Sequence, residues 1–324
     1  MISKLLFLNN YSTDCYENLA IEKELLTRVD GKTVILYLWQ NQNTVVIGKN
    51  QNPFAECDIE KAKEDGVNIA RRLSGGGAVF HDKGNLNFTF VAHKENYDLQ
   101  KQMEVIKKAC ALAGINAEIS GRNDILVDSK KFSGNAFYHT KTVSLHHGTL
   151  LINSNLEKVG KYLTPDLSKL QSKGVKSVKS RVINLCEINP DLTCDIMREY
   201  MVSAAEDVYG VKAEEYTDIN SLKTEETVKL YGSREYIFTT PIPYTAVFKG
   251  RLDLGQFEIR ILVKNEKIED LQVFTDALDV KIPETIKNLL IGEKYDFSVI
   301  EKKLTSAFDS SFSNQIIGLM KSPR

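Results

Sequence analysis

The stretch Arg71-Arg72-Leu73-Ser74-Gly75-Gly76-Gly77-Ala78-Val79-Phe80-His81-Asp82 decides how this chain is read. Two fixed cations lead into three consecutive glycines, and an apolar run follows at once. Without Cβ atoms, glycines let backbone N–H groups turn inward around an anion. An arginine adds a planar donor fork suited to phosphate or carboxylate. Taken alone, a glycine-rich turn between strands is more often just a turn. The stretch also lacks G-x-x-x-x-G-K-[ST] and G-x-G-x-x-G, the signatures of a P-loop or a Rossmann dinucleotide site.

Around this block the text reads as alternating short elements. Asp14 caps an expected helix over 15–28. Residues 34–39 and 44–48 read as paired strands around Gln40-Asn41-Gln42-Asn43. A short helix is expected over 56–65, and strands over 78–80 and 86–91. Leu99, Met103, Ile106, Cys110 and Ala113 recur at helical steps, so 98–113 is an amphipathic helix with a core-facing stripe. Strands follow at 125–127 and 143–151, with 131–136 near a bend between them. Helices are expected at 155–162, 166–171 and 191–208. The charged text up to Lys229 reads as solvated loop and helix, and 232–250, with its Gly and Pro residues, as a linker. Beyond it Phe257, Ile259, Ile261 and Val263 alternate and pair with Leu271 and Val273 across Asn265-Glu266-Lys267. Helices at 283–290 and 296–307 close the chain.

At 324 residues, 42% hydrophobic and 26% charged, the composition suits a globular protein of about two domains. A net charge of −1 gives no reason to expect nucleic acid as a partner. The first eight residues read as a strand rather than a signal segment, and no apolar run is long enough for a membrane span. A cytoplasmic monomer is the expectation. Cys15, Cys57, Cys110, Cys186 and Cys194 form no C-x-x-C pair. Five is an odd number, so free thiols are expected rather than a disulfide framework or zinc site. His146 and His147 are adjacent on an expected strand and face opposite ways, which excludes a shared metal. His81, His93 and His139 lack ligand spacing, so no metal is assigned to histidine or cysteine.

Three more segments appear in order: Gly121-Arg122-Asn123-Asp124 with Lys130-Lys131-Phe132-Ser133-Gly134-Asn135-Ala136, then His146-His147-Gly148-Thr149-Leu150-Leu151, then Ser177-Val178-Lys179-Ser180-Arg181-Val182. With the glycine block these closely resemble lipoate–protein ligases of the long form, at similar spacing from about Asn9 to beyond Thr275. The resemblance implies an α+β, biotin/lipoate ligase-like catalytic domain over 1–245, with mixed β-sheets and flanking helices. It implies a small α+β accessory domain over 246–324 that swings between two half-reactions. The implied activity uses ATP, with Mg2+, to convert free lipoate to lipoyl-AMP, releasing pyrophosphate. Lipoyl then passes to a lysine amine of an apo lipoyl domain of a 2-oxoacid dehydrogenase or of the glycine-cleavage H protein.

The same resemblance distributes roles. Lys131 matches the lysine that touches both the lipoyl carbonyl and the α-phosphate, and is the catalytic candidate. Arg72, Gly75, Gly76, Gly77, Ala78, Val79, Phe80, Asn85, Asn123 and Asp124 join it as ATP or lipoyl-AMP contacts. Asp124 either holds magnesium or orients Lys131. Leu19, Val46, Val79, His81, Gly134, His147, Gly148 and Thr149 are expected around lipoate. One departure stands at 233–243, Ser-Arg-Glu-Tyr-Ile-Phe-Thr-Thr-Pro-Ile-Pro, where the family often has tryptophans and a Gly-x-Ser-Pro-like turn. That leaves acceptor preference open.

Three rivals remain. A lipoyl or octanoyl transferase needs a nucleophilic cysteine, and none lies near 148–151 or within 131–136. A biotin ligase has a different glycine motif. A non-catalytic lipoate binder does not account for the combined presence of Arg72, the glycines, Asn123, Asp124, Lys131 and His147.

Overall fold

The computed structural model describes residues 2–121, 123–164 and 182–321. The expected helix at 166–171, Arg122, and residues 177–181 of the last motif lie outside them. Fourteen strands form three sheets. In chain order they are β1 (Lys4–Asn9), β2 (Thr33–Trp39), β3 (Thr44–Ile47), β4 (Asn68–Arg71), β5 (Val79–His81), β6 (Asn85–His93) and β7 (Glu118–Ser120). Then come β8 (Asp124–Val127), β9 (Lys130–His139), β10 (Val143–Leu151), β11 (Ala213–Glu215), β12 (Ala246–Leu252), β13 (Gly255–Lys264) and β14 (Lys267–Thr275).

The main sheet runs β11-β1-β2-β6-β10-β9-β8-β7 and is mixed: β1 is parallel to β2 and β11, and the rest is antiparallel. Its long central strands are apolar on both faces, as strands covered on both sides must be. One face packs under the helices Leu99–Leu112 and Cys194–Tyr209 around Phe88, Phe90, Ile106 and Met197. Asp98 caps the first of these helices, and its stripe Met103, Ile106, Cys110 and Ala113 is buried as expected. The other face carries the helix Cys15–Leu25, capped by Asp14, and the small sheet β4-β3-β5. The gap between that small sheet and the main sheet is where a ligand can enter.

Several expectations need correction. The strands at 34–39 and 44–48 are not partners, because β2 lies in the main sheet and β3 in the small one. The polar turn between them is a step between layers. Asn18 Nδ2 bonds Gln40 O at 2.8 Å and Asn41 Oδ1 at 3.0 Å, and Asn43 takes a φ of 42° to redirect the chain. The expected helix at 56–65 is two short ones, Pro53–Glu56 and Ile59–Glu64. Residues 131–136 are not at a bend but on the ten-residue strand β9. The bend is Asp128-Ser129, with φ of 49° and 62° at the two central positions, as a tight hairpin turn demands.

The charged stretch after Tyr209 contains β11, an edge strand on β1. The linker is shorter than 232–250. Arg234–Ile237 is a helical turn whose carbonyls at Tyr236 and Ile237 are held by Arg71, and Gly250 sits within β12. Residues 246–321 build their own core from Phe257, Ile259, Ile261, Leu271 and Ile286. The β13–β14 pairing is as expected, Ile259 opposite Val273 and Ile261 opposite Leu271, around a turn with positive φ at Asn265 and Glu266. A third helix here, Ser310–Lys321, was not anticipated.

The β8–β9 turn yields a stability prediction. A serine in left-handed backbone costs about 1 kcal/mol relative to glycine. Ser129→Gly should therefore raise resistance to urea by about 0.5–1 kcal/mol; a loss of stability would contradict the turn geometry.

Candidate active site

A cavity of about 320 Å³ opens between the main and small sheets. Its floor is a row across four strands: Gly134 on β9, Thr149 on β10, Asn87 on β6 and Trp39 on β2. Gly134 N donates to Thr149 Oγ1 at 3.3 Å, Thr149 faces Asn87, and Asn87 faces Trp39. Three inter-strand steps make the row about 14 Å long. Its roof is the glycine block and β5, from Gly76 to His81, with Val46 of β3.

Lys131 stands at the β9 end. A Cβ on Gly134 would lie 3.0 Å from Lys131 Nζ, so the missing side chain makes room for the ammonium. Lys131 Nζ pairs with Asp124 Oδ1 at 2.7 Å, both side chains being partly exposed. Of the two readings left open for Asp124, this contact is the orienting one. Asn123 and Asn135 brace the same end reciprocally: each side-chain amide donates to the other's backbone carbonyl at 3.1 Å. Asn135 Oδ1 in turn meets His146 Nε2 at 2.8 Å, and His146 Nδ1 lies 3.0 Å from Gln102.

The roof is held by Arg72, which is buried. Its Nη2 donates to Gly75 O and Gly77 O at 2.6 and 2.8 Å, its Nη1 to Val46 O at 3.1 Å, and its Nε to Ser74 Oγ at 3.1 Å. The guanidinium therefore shapes the loop, and one Nη1 hydrogen is left for a ligand. Gly75 is not on the cavity wall. It is small because a Cβ there would sit 2.2 Å from Ala277 O. Gly76 N bonds Ala277 O at 3.3 Å, so the C-terminal unit rests directly on the loop.

A chain of hydrogen bonds joins roof to floor with every direction determined. Trp39 Nε1 donates to Thr89 Oγ1 at 3.0 Å, and Thr89 donates to Glu22 Oε1 at 2.7 Å. His147 Nδ1 lies 2.7 Å from the same carboxylate oxygen, and His147 Nε2 lies 2.6 Å from Ser74 Oγ. Glu22, a fully buried carboxylate, anchors it. None of Glu22, Ser74, Thr89, Asn87 or Asn135 was singled out from sequence. The one signal was Glu22 itself, a charged residue on the helix face shared with Leu19.

Of the expected residues, Leu19, Val46, Arg72, Gly76, Gly77, Ala78, Val79, Phe80, His81, Asn85, Asn123, Lys131, Gly134, His147, Gly148 and Thr149 all line this cavity. Gly75 and Asp124 do not. Gly148 is small for packing reasons as well, since a Cβ would lie 2.6 Å from Phe88 Cζ. No cysteine lines it, and burial pushes the thiols of Cys15, Cys57, Cys110 and Cys194 up to about 12. A thiol so raised is a poor nucleophile. Among the described residues there is no cluster of three His, Cys, Asp or Glu able to hold a metal, and no helix is long and apolar enough to cross a membrane.

Comparison with known proteins gives this geometry a context. Residues 14–206 match the lipoyl protein ligase A/B catalytic domain, and residues 242–318 the bacterial lipoate protein ligase C-terminus. The chain belongs to the lipoate–protein ligase family. A lipoate-protein ligase A of Bdellovibrio bacteriovorus is 39% identical over 89% of this chain and 88% of its own. That of Psychrobacter cryohalolentis is 39% identical over 93% and 91%. LipL1 of P. falciparum, solved in complex with lipoate, superposes with a TM-score of 0.85 at 28% identity, covering 98% of this chain and all of its own. A lipoate-protein ligase A bound with ATP gives 0.63 at 25% identity, over 74% and 99%. A bi-partite ligase of Thermoplasma acidophilum, studied with its E2 lipoyl domain, gives 0.65 at 25%, over 76% and 100%. The chain thus has the expected biotin/lipoate ligase-like fold with its small C-terminal sheet and helices, and it is a ligase of lipoate.

Two buried histidines of this lipoate ligase set its acid response. Burial pushes both His81 and His146 down to about 3. In the unfolded chain each titrates near 6.5. Below that pH the unfolded state takes up protons that the folded state refuses, so stability falls as pH drops from about 6.5 toward 3. With two such groups the slope should approach about 2.7 kcal/mol per pH unit near pH 5. Urea unfolding at pH 7.5, 6.5 and 5.5 measures it; a flat profile would contradict the neutral, buried assignment.

Proposed function

We propose that this ligase activates free lipoate with ATP to lipoyl-AMP, releasing pyrophosphate, and then transfers lipoyl to a lysine of a partner protein. The observation that carries the reading is Lys131, an ammonium poised over Gly134 at one end of an enclosed cavity long enough for an extended acid. The acid's carboxylate and the α-phosphate are both anions, and a fixed cation where they meet offsets their repulsion and the charge that develops between them. Binding the anions replaces Asp124 as the partner of Lys131 and frees that carboxylate. Magnesium that arrives on the nucleotide's phosphates needs only one or two protein carboxylates, and Asp124 is the one at hand.

The roof serves the same step. Gly76 and Gly77 bring bare backbone to the nucleotide, Arg72 keeps the loop's shape and offers its remaining N–H, and Asn85 and Asn123 complete the polar contacts. Leu19, Val46, Val79 and His147 enclose the tail. The ATP-bound and lipoate-bound relatives support this assignment of both substrates.

The acceptor is an apo lipoyl domain of a 2-oxoacid dehydrogenase or the glycine-cleavage H protein; the archaeal relative studied with its E2 lipoyl domain supports the former. The catalytic part extends over 1–245 and the accessory part over 246–324, which changes position between the two half-reactions. The enzyme acts as a cytoplasmic monomer.

Lys131→Ala tests the site. The partly exposed ion pair it removes contributes little to folding, so the variant should stay folded. Lipoate- and magnesium-dependent pyrophosphate release should fall by about 10²-fold or more. Wild-type rates in the folded variant would refute the assignment.

A further inference from the structure

At the far end of the floor from Lys131, around Trp39, the cavity wall is mostly apolar, yet it contains hydrogen-bonding groups without partners. Their directions follow from the surrounding chain. Asn18 Nδ2 donates to the carbonyls of Ser12 and Gln40, so its amide orientation is set. The same nitrogen donates to Asn41 Oδ1, which sets Asn41 in turn. Asn41 Nδ2 therefore faces His81 Nδ1, at 3.2 Å, and makes that ring nitrogen an acceptor. A neutral ring with Nδ1 accepting carries its proton on Nε2. That Nε2–H is buried and has no partner among the described residues.

Asn85 and Asn87, two apart on β6, share the same face. Asn85 Nδ2 donates to Asn87 Oδ1 at 2.9 Å, leaving Asn87 Nδ2 and Asn85 Oδ1 unpaired. The pair bonds once within itself, so either orientation of its two amides leaves one NH2 unspent. His81, Asn85 and Asn87 are 4%, 0% and 1% exposed and all line the cavity. Leaving buried donors unsatisfied is costly, so a ligand that supplies lone pairs there gains over one that does not.

We propose that His81 Nε2–H and the spare amide N–H of Asn87 form a donor pair that selects an acyl tail ending in a sulfur ring over a hydrocarbon tail of the same shape. The inference rests on the lipoate-activating reading above, which puts the carboxylate at Lys131 and so sends the tail across Thr149 toward Asn87 and Trp39. Disulfide sulfurs carry lone pairs and accept weakly. An alkyl ring of equal size fills the same space and leaves both donors unpaired.

The test uses the wild-type full chain with ATP and magnesium. Pyrophosphate release is measured with lipoate and with 5-cyclopentylpentanoate, in which ring carbons replace both sulfurs. Lipoate should be favoured in kcat/KM by about tenfold or more. In His81→Phe and Asn87→Leu that preference should shrink to within about threefold, chiefly because the carbocyclic acid improves. Equal use of the two acids by the wild-type enzyme, or an unchanged preference in folded variants, would overturn the inference while leaving adenylation standing. No release with either acid would overturn both.

Discussion

A loop of three glycines has no side chains with which to hold its own shape, and the rest of this site is arranged around that deficiency. Arg72 supplies the missing contacts, spending four of its five N–H groups on Val46, Ser74, Gly75 and Gly77. A buried guanidinium needs a countercharge, and the nearby Glu22 carboxylate works against the burial that lowers the Arg72 pKa to about 10. Ser74 and His147 bridge the distance between them. The glycine roof, the helix Cys15–Leu25 and the β10 floor are thereby one polar unit inside an apolar shell. Such a unit costs stability if any member is removed, because its neighbours are left buried and unpaired.

The same loop is the meeting point of the two parts of the chain. Gly75 and Gly76 touch Ala277 and Leu278, Thr275 N bonds Asn50 O at 2.9 Å, and Asn50 Nδ2 bonds Val280 O at 3.0 Å. A side chain at Gly75 would prise the C-terminal unit away. The glycines therefore answer two demands at once: close backbone approach inside the cavity at Gly76 and Gly77, and close approach of another backbone outside it at Gly75.

Much of this was legible in the sequence where the chemistry is local. The glycine block, Lys131, Asn123 and the pair His146-His147 stand in short motifs, and the amphipathic helix near 98–113 announces itself by period. What could not be read was long-range. The Glu22–His147 contact joins residues 125 apart in the chain, and no local pattern marks it. The strands at 34–39 and 44–48 looked like a hairpin because both are apolar and a polar turn separates them. Only the side chain of Asn18, reaching back to Gln40 and Asn41, reveals that the turn changes layers. Gly75 was read as a ligand contact because glycine's permissiveness looks the same in sequence whether a phosphate or a neighbouring carbonyl occupies the space. The edge strand at Ala213 was hidden by its acidic residues, which an edge tolerates well.

The central claim is that one floor, running from Lys131 to Trp39, carries the whole acyl substrate with its reacting end at the ammonium. A structure of the wild-type enzyme with lipoyl-AMP measures it directly. The account predicts Lys131 Nζ within hydrogen-bond reach of both the acyl carbonyl and the α-phosphate, the pair with Asp124 opened, and the dithiolane ring against Trp39 and His81. A Lys131 still bonded to Asp124, or a tail that leaves the cavity away from Asn87, would contradict it.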